Sequence, residues 1–557
     1  MNLEVNARIH CRALGLVLSL AGVGTAQNQL FDVAGDKEAD HFGVATAGAG
    51  DFNNDGFPDL IVGAPEDANV FVPGEGFARV HSGLNGAVLF TAHGAVNFEG
   101  FGSAVEGDLD LNGDGIPDLL IGAPKSSTSH PNAGRVEARS GISGAVLYTI
   151  QGLTADEAFG SSIAGIGDVN FDGRDDFAVG APGATSGFIN QVGRVTIHSG
   201  LNGAILHSVY GSASGDRFGY DLAGAGDVTG DGRGDVLVGS LFGGIKVLSG
   251  ASGAVVNTVS AGATDIFGHS VDSISDLDGD GVRDFLVGAT QEDFFNPGTG
   301  YVEVLSGISG FSLFTVQGQS IGDAFGHHVA AIGDWDGDGT EDFAVSALPS
   351  SPSVNSYVTI ISGQTHAVLL SLSGALASED FGSSIASLGD TTGDGRLELA
   401  VGSPNSNTNG SSSGHVQVFS SGFTACGDIS HYCATSPNSF GTGALILHSG
   451  SANVSDNNLV LVSILCPFNQ FGVFYFGNNQ LNVPFGNGVR CVGGGIRRLH
   501  VVNTGVSGSA ASIVDLQNPL YGISGGVTKN FQFWFRDPVA GGANFNLSDA
   551  LSIQFCP

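Results

Sequence analysis

A nine-residue acidic loop returns seven times along this chain, and no other feature constrains the fold as much. Counted from their first aspartate, the copies begin with DFNNDGFPD at Asp51, DLNGDGIPD at Asp110, DVNFDGRDD at Asp168 and DVTGDGRGD at Asp227. DLDGDGVRD at Asp276, DWDGDGTED at Asp334 and DTTGDGRLE at Asp390 complete the set. Intervals of 59, 58, 59, 49, 58 and 56 residues are too regular for chance. Companion motifs keep register with the loop. A Phe-Gly pair precedes each copy, at Phe42, Phe101, Phe159, Phe218, Phe267, Phe325 and Phe381. An apolar run ending near Gly-Ala-Pro follows, as in LIVGAP (60–65), LLIGAP (119–124) and FAVGAP (177–182). A polar loop, a second apolar run and a turn such as HSGLNGAVL (81–89) close the unit, with glycines supplying the positive φ of tight hairpins.

One unit therefore holds about four short strands separated by turn signals, with no helical periodicity. Repeated seven times, such a unit predicts an all-β fold, a seven-bladed β-propeller. A β-solenoid has shorter repeats and lacks this hairpin sequence. The ends predict closure of the ring. Gln29–Gly35 reads like the strand before later Phe-Gly sites, yet has no blade of its own, and the last repeat stops at HVQVFSSG (415–422) without that strand. The N-terminal strand is expected to complete the seventh blade and remove both free edges.

Phe-Gly, the DxDGDGxxD-type loop and Gly-Ala-Pro in fixed register resemble the FG-GAP repeat of integrin α-subunit propellers and their bacterial relatives. The resemblance covers roughly residues 29–422. Blades four and six depart from it, with GSL (239–241) and SAL (346–348) in place of Gly-Ala-Pro. It implies an extracellular adhesion or partner-binding role.

The loops explain their own acidity. Oxygen-bearing side chains stand at positions 1, 3, 5 and 9, and glycine at position 6 permits the sharp turn, as in an EF-hand. Blade one offers Asp51, Asn53, Asp55 and Asp59; blade two offers Asp110, Asn112, Asp114 and Asp118. Blade three offers Asp168, Asn170, Asp172 and Asp176; blade four offers Asp227, Thr229, Asp231 and Asp235. Blades five and six present four carboxylates each: Asp276, Asp278, Asp280, Asp284 and Asp334, Asp336, Asp338, Asp342. Blade seven offers Asp390, Thr392, Asp394 and Glu398. Carboxylates so crowded repel one another unless a cation intervenes. All-oxygen donors on a pliant loop favour Ca²⁺ over Zn²⁺ or Mg²⁺. Blades five and six are expected to bind most tightly, and the Thr-bearing loops of blades four and seven most weakly. An EF-hand or dockerin needs an acid near position 12 and a flanking helix, whereas strand residues follow position 9 directly here.

Positions 1, 3, 5 and 9 of these loops hold 23 of the 54 Asp and Glu residues, so much of the net charge of −35 is metal-loop charge. Such a surface repels nucleic acid and anionic membranes. Residues 1–26 read as a signal peptide: Arg8 and Arg12, an apolar run (13–20) and a small-residue site at Gly24-Thr25-Ala26. The expected product is secreted, extracellular or at the cell surface, with no membrane insertion of the mature chain. Beyond Cys11, five cysteines (Cys426, Cys433, Cys466, Cys491 and Cys556) fall in the last quarter, an odd number that leaves one thiol over or pairs it between chains. The composition changes there, and short β runs predict a C-terminal β-sandwich over 423–557 after a propeller over 27–422. That segment resembles β-rich domains appended to secreted bacterial proteins. Tyr475, Phe476, Trp534 and Phe535 offer either a sugar platform or core packing.

Catalytic signals are weak. Two G-x-S-x-G matches, at Ser412 and Ser524, lack strand–turn–helix context. His81 and His198 sit in hairpin turns and read as structural. After the Phe-Gly sites, blades four to six carry Tyr220-Asp221, His269 and His327-His328, which are expected to face one sector of the central entrance. The loops after Gly-Ala-Pro (66–76, 125–134 and 291–300, with Phe294 and Phe295) lie opposite the acidic loops and form the expected partner face. The leading reading is a secreted calcium-binding propeller serving as an extracellular adhesion or partner-binding module for an extracellular protein or polysaccharide. The alternatives are a hydrolase or polysaccharide lyase working at the propeller centre, and a passive cell-envelope component.

Overall fold

Each repeat folds into a four-stranded antiparallel sheet, and seven such sheets are present. The computed structural model describes residues 28–66, 74–260, 265–291, 297–349, 351, 354–392, 395–421, 429–433, 435–441, 443–449, 452, 454, 457–524 and 527–555. The signal-peptide segment 1–26, Cys11, Phe294, Phe295, Asp394, Cys426 and Cys556 lie outside these residues. No α-helix occurs among the described residues, only a 3₁₀ turn at Pro538–Ala540. The innermost strands, from Ala45–Gly48 in the first blade to Ile385–Ser387 in the last, touch their neighbours in sequence, and the last touches the first. The sheets thus form a closed ring around a channel of about 530 Å³ lined by all seven inner strands.

Closure uses the N-terminal strand, as the repeat arithmetic demands. Asn28–Ala34 pairs antiparallel with His415–Ser420, with Val33 opposite Val416. A strand from one end of the chain thereby finishes a sheet begun near the other. The sheet still has two edge strands, Asn28–Ala34 and Ile385–Ser387, so closure covers the edge of His415–Ser420 but does not abolish edges, contrary to the sequence expectation.

The recurring motifs are the joints between blades. Every Phe of the Phe-Gly pairs is buried, at 0–3% exposure, between adjacent sheets. In five of the seven the backbone bridges to a glycine of the preceding blade, as in Gly134 to Phe159 and Gly300 to Phe325, and Phe42 to Gly414 repeats this contact across the closure. The glycines let backbones touch. A Cβ on Gly63 of the first Gly-Ala-Pro would lie 2.0 Å from the carbonyl oxygen of Gly102, in the next Phe-Gly; Gly122 and Gly160 repeat this at 2.2 Å. The sixth blade has Ser346 at that position, and its Oγ accepts the His328 N–H at 3.0 Å. A hydrogen bond thus accompanies the departure from the motif there.

The hairpin glycines divide into two kinds. Gly86 has φ of 72°, as expected for a tight turn. Gly83 has no such φ; a Cβ there would lie 1.9 Å from the Pro58 carbonyl oxygen. The sequence expectation of positive φ holds for the second glycine of the first five turns, and His366 adopts it at 59° in the sixth; close approach explains the first glycine.

In the C-terminal quarter, a five-stranded sheet runs in the order Ile429–Tyr432, Phe545–Gln554, Thr528–Arg536, Phe471–Gly477, Arg497–Asn503. A three-stranded sheet is built from Leu445–Ser449, Val460–Ile464 and Ala510–Ile513. Both feed one core, in which Ile446 and Leu461 meet Phe474, Phe533 and Ile553. Cys433 and Cys491 form a disulfide, and Cys466 is a buried free thiol, pushed up to about 11 by burial. The four aromatics suggested as a platform cannot share one surface, because neighbouring strand residues face opposite ways. Phe476 and Phe535 are core residues, 1% exposed, while Tyr475 and Trp534 line a cavity on the other side of the sheet.

Candidate metal centres

Each acidic loop joins an inner strand to the second strand of its blade. Its first carboxylate organises the turn. In all seven copies the N–H of the position-6 glycine donates to the position-1 aspartate, from Gly56 to Asp51 Oδ2 at 2.8 Å through Gly395 to Asp390 Oδ2 at 2.7 Å. These glycines have positive φ, 91° at Gly56 and 93° at Gly281, with nothing near an added Cβ. Conformation alone requires glycine there.

The position-9 acids are placed differently from what alternation along a loop suggests. Asp59, Asp118, Asp176, Asp235, Asp284 and Asp342 are fully buried, and Glu398 is 1% exposed. Each aspartate accepts from its own loop and from the neighbouring hairpin. Asp342 Oδ2 takes the N–H groups of Trp335 (2.8 Å) and Asp336 (3.1 Å), and Oδ1 takes that of Gly363 (2.9 Å). The donor from the hairpin is the first glycine of the Ser-Gly turn: Gly83, Gly141, Gly200, Gly250, Gly307 and Gly363. The recurring Ser-Gly carried this signal in the sequence, where it reads only as a turn. Burial outweighs these donors, and it pushes Asp59, Asp118 and Asp176 up to about 6 and Asp342 to about 7.

Position-5 acids of blades five and six turn toward the hairpin serines. Asp280 and Asp338 accept from the N–H two residues on, and from Ser306 and Ser362 of the next hairpin. In blades two and three the amide nitrogens of Asn112 and Asn170 point to the position-9 carboxylates, at 3.0 and 3.2 Å. In blade seven, Thr392 Oγ1 and Thr391 Oγ1 both donate to Glu398.

Only two loops gather three carboxylates among the described residues. Oxygens of Asp276, Asp278 and Asp284 lie within 4.8 Å of one another, as do those of Asp334, Asp336 and Asp342. These are blades five and six, the pair the sequence ranks first. A point amid three oxygens so spaced lies within reach of the 2.3–2.6 Å bonds that Ca²⁺ makes, and the donors are all hard oxygens. Hydrogen bonds from the loop do not consume the site, since each carboxylate oxygen carries two lone pairs. The donor set fits a divalent cation.

At the opposite mouth of the channel, Tyr220, Asp221, His269, His327 and His328 line one cavity of about 370 Å³, together with Pro124 and Pro182 of the Gly-Ala-Pro turns. The rings of Tyr220 and His269 are 5.3 Å apart, and those of His269 and His327 are 4.7 Å apart. His269 Nδ1 is 2.9 Å from the His327 carbonyl oxygen, so Nδ1 carries the proton and Nε2 the lone pair. Burial lowers His327 to about 3 and His328 to about 4, which keeps both neutral at pH 7. His198 is structural, as read: it stacks on Phe177 at 5.4 Å and bonds Thr196 Oγ1.

Deeper in the channel stand Glu106, Asp221 and Asp272, and no Lys or Arg lines it. Asp221 accepts the Val271 N–H and Asp272 that of Ala331, each at 2.8 Å, tying one blade to the next. Burial, reinforced by repulsion from Asp108 and Asp272, pushes Glu106 up to about 8. A carboxyl with a raised folded value holds its proton more tightly in the native state. Its contribution is present at low pH and lost as pH rises toward that value. Between about pH 7.5 and 8.5 the histidines are largely neutral in both states, so the most strongly raised carboxyl, Glu106, sets the slope. In chelator, the melting temperature is expected to fall across this window. Glu106→Gln should flatten the fall and raise the melting temperature at the alkaline end by a few degrees. A scanning-fluorimetry series checks this, and an unchanged slope in the variant refutes it.

Five of the seven repeats match the FG-GAP repeat family, over residues 42–81, 101–136, 159–198, 267–305 and 381–419. The chain is an FG-GAP repeat protein, a β-propeller by fold. It is integrin α-like: integrin alpha-4 of Xenopus laevis is 33% identical over 222 residues, 36% of this chain and 20% of the relative. Integrin alpha-5 of Xenopus laevis is 32% identical over 235 residues, covering 38% and 21%, and integrin alpha-8 of Mus musculus 32% over 234 residues, covering 39% and 21%. The chain thus spans about a fifth of the length of these curated relatives.

Proposed function

We propose that this chain is a secreted, calcium-binding propeller serving as an extracellular adhesion or partner-binding module. The observation that carries the reading is the convergence of Asp276, Asp278 and Asp284, and of Asp334, Asp336 and Asp342, within loops repeated around the whole ring. In blades five and six these residues would hold the ion. Bound calcium would neutralise charge that otherwise strains the loops, fixing that rim so that the opposite face is presented rigidly. The likeness to integrin α subunits supports the adhesive role. Secretion is supported by the N-terminal segment and by the Cys433–Cys491 disulfide, a bond at home in oxidising compartments. No helix among the described residues is long and apolar enough to cross a membrane. The partner is an extracellular protein or polysaccharide that meets the Gly-Ala-Pro loop face.

The test is a binding screen of the full chain against immobilised extracellular proteins and polysaccharides, with calcium or EDTA. Calcium-dependent retention, weakened by Asp278→Ala and Asp336→Ala together, is the expected result. Retention indifferent to both, or none at all, removes the proposal.

One observation favours a second reading, a hydrolase or polysaccharide lyase acting at the channel mouth: Tyr220, Asp221, His269 and His328 share one cavity. A neutral imidazole beside a tyrosine is a serviceable acid–base pair. Release of shortened polysaccharide, abolished by His269→Ala and by Tyr220→Phe, would establish it, and its absence across a broad glycan panel would dismiss it.

A further inference from the structure

Charge is divided unevenly along the chain. Residues 27–422 hold 48 Asp and Glu against 12 Lys and Arg, whereas residues 423–557 hold 5 of each. Within that neutral quarter, basic groups collect at one place. Arg490 and Arg498 line a cavity of about 190 Å³ on the outer side of the five-stranded sheet, and no acidic side chain lines it. Its floor is apolar, built from Val473, Trp534 and Leu547. No ion pair among the described residues involves Arg490 or Arg498.

The walls are fixed. Arg490 lies beside Cys491, which is held by the disulfide to Cys433 and by its N–H bond to Gln532 Oε1 at 3.0 Å. The Arg490 guanidinium stands over the Phe485 ring, 5.6 Å from its centroid. Two of the lining residues carry a donor without an acceptor: Arg490 Nε and Trp534 Nε1 are both buried without a hydrogen-bond partner. Leaving buried donors unsatisfied is costly, and a guanidinium is completed best by a planar carboxylate. The apolar floor decides what carries that carboxylate. A sugar ring would bring hydroxyls that find no partners against Val473 and Leu547, while an aromatic or aliphatic body would bury apolar area.

We propose that this cavity is a binding site for a carboxylate borne on a compact apolar body, with Arg490 reading the charge and Trp534 packing on the body. Such a carboxylate occurs in free aromatic acids and at the C-terminal residue of a polypeptide.

The readout is intrinsic. Trp534 is one of two tryptophans, and the other, Trp335, is 1% exposed within the propeller. Titration of the full chain with phenylacetate is expected to change tryptophan fluorescence saturably. Phenylacetamide, the neutral isostere, should bind about tenfold or more weakly, and Arg490→Gln should weaken phenylacetate to the same degree. Acetyl-Gly-Phe separates the two sources: binding tighter than phenylacetate assigns the site to a chain end, weaker binding to free acids. Equal binding of acid and amide overturns the proposal, as does glucuronate binding better than phenylacetate, or no saturable change at all. The acid–amide comparison uses the unaltered chain, so it stands even where Arg490→Gln fails to fold.

Discussion

Chelation is expected to lower the melting temperature of the propeller, by an amount that counts the occupied loops. At about 10 mM calcium, a site with Kd of about 10⁻⁴–10⁻³ M adds roughly 1.4–2.7 kcal/mol to the folded state. Two such sites add about 3–5 kcal/mol, and seven add about 10–19 kcal/mol. A body of roughly 400 residues unfolds with an entropy near ~0.8 kcal/mol/K, so the two cases differ as about 4–6 °C against about 12–23 °C. The geometry favours the lower figure, because three carboxylates converge only in blades five and six among the described residues. Two substitutions separate an acid that serves only as a ligand from one that is structural as well. Asp278 is exposed and bonds only within its loop, so Asp278→Ala should reduce the calcium response and leave the chelated melting point near its starting value. Asp342 is buried and accepts three backbone N–H groups, so Asp342→Ala should lower the melting point by several degrees with or without calcium. Differential scanning calorimetry in calcium and in EDTA reads both. Identical melting of the unaltered chain in the two buffers removes the calcium reading altogether.

Much of this arrangement is legible in the sequence because repetition turns weak local signals into a strong one. The strands, the ring and its closing strand follow from motif spacing, and the ranking of blades five and six follows from carboxylate counts. What could not be read is tertiary. Gly63 and Gly102 look like ordinary turn residues until two blades press together and leave no space for a Cβ. Asp342 looks like one more loop ligand, yet its backbone partner Gly363 lies 21 residues away on another hairpin. In the C-terminal quarter no repeat assists. Short β runs stand out there, but nothing in the sequence marks the hairpin of Asn479–Phe485 and Gly488–Gly493, which supplies Phe485 and Arg490. Its residues Asn479, Gln480, Asn482 and Pro484 carry little strand propensity, and pairing within the hairpin stabilises it instead. The channel mouth stands between these cases. Tyr220, His269 and His327 depart in the sequence from the Val or Ser of the other blades, and ring geometry makes them neighbours.

A chain beginning at residue 35 is expected to lose the ring, compared with one beginning at residue 28. The strand Asn28–Ala34 touches two blades at once. Its backbone pairs with His415–Ser420 of the seventh, and Val33 packs with Val416 and Val418 there and with Phe42 and Leu60 of the first. Phe31 lies against the first hairpin, where a Cβ on Gly86 would come within 2.8 Å of its ring. Uncovering Phe31 and Val33 costs about 1.5–3 kcal/mol for each side chain, before any backbone bond is counted. The total exceeds about 5 kcal/mol, or about 6 °C of melting temperature for a body of this size. A kinetic consequence accompanies the thermodynamic one. The bared edge of His415–Ser420 offers unpaired N–H and C=O groups beside an apolar joint, an invitation to a strand from a second copy. Size-exclusion chromatography with light scattering should therefore find concentration-dependent association of the shortened chain. A synthetic peptide of residues 28–34, supplied in excess, should compete with that association and recover part of the lost stability, since it restores both the ladder and the apolar contacts. A shortened chain that stays monomeric and melts unchanged would mean that the circle is held by the contacts between blades alone, and that the strand shared between the two ends only decorates it.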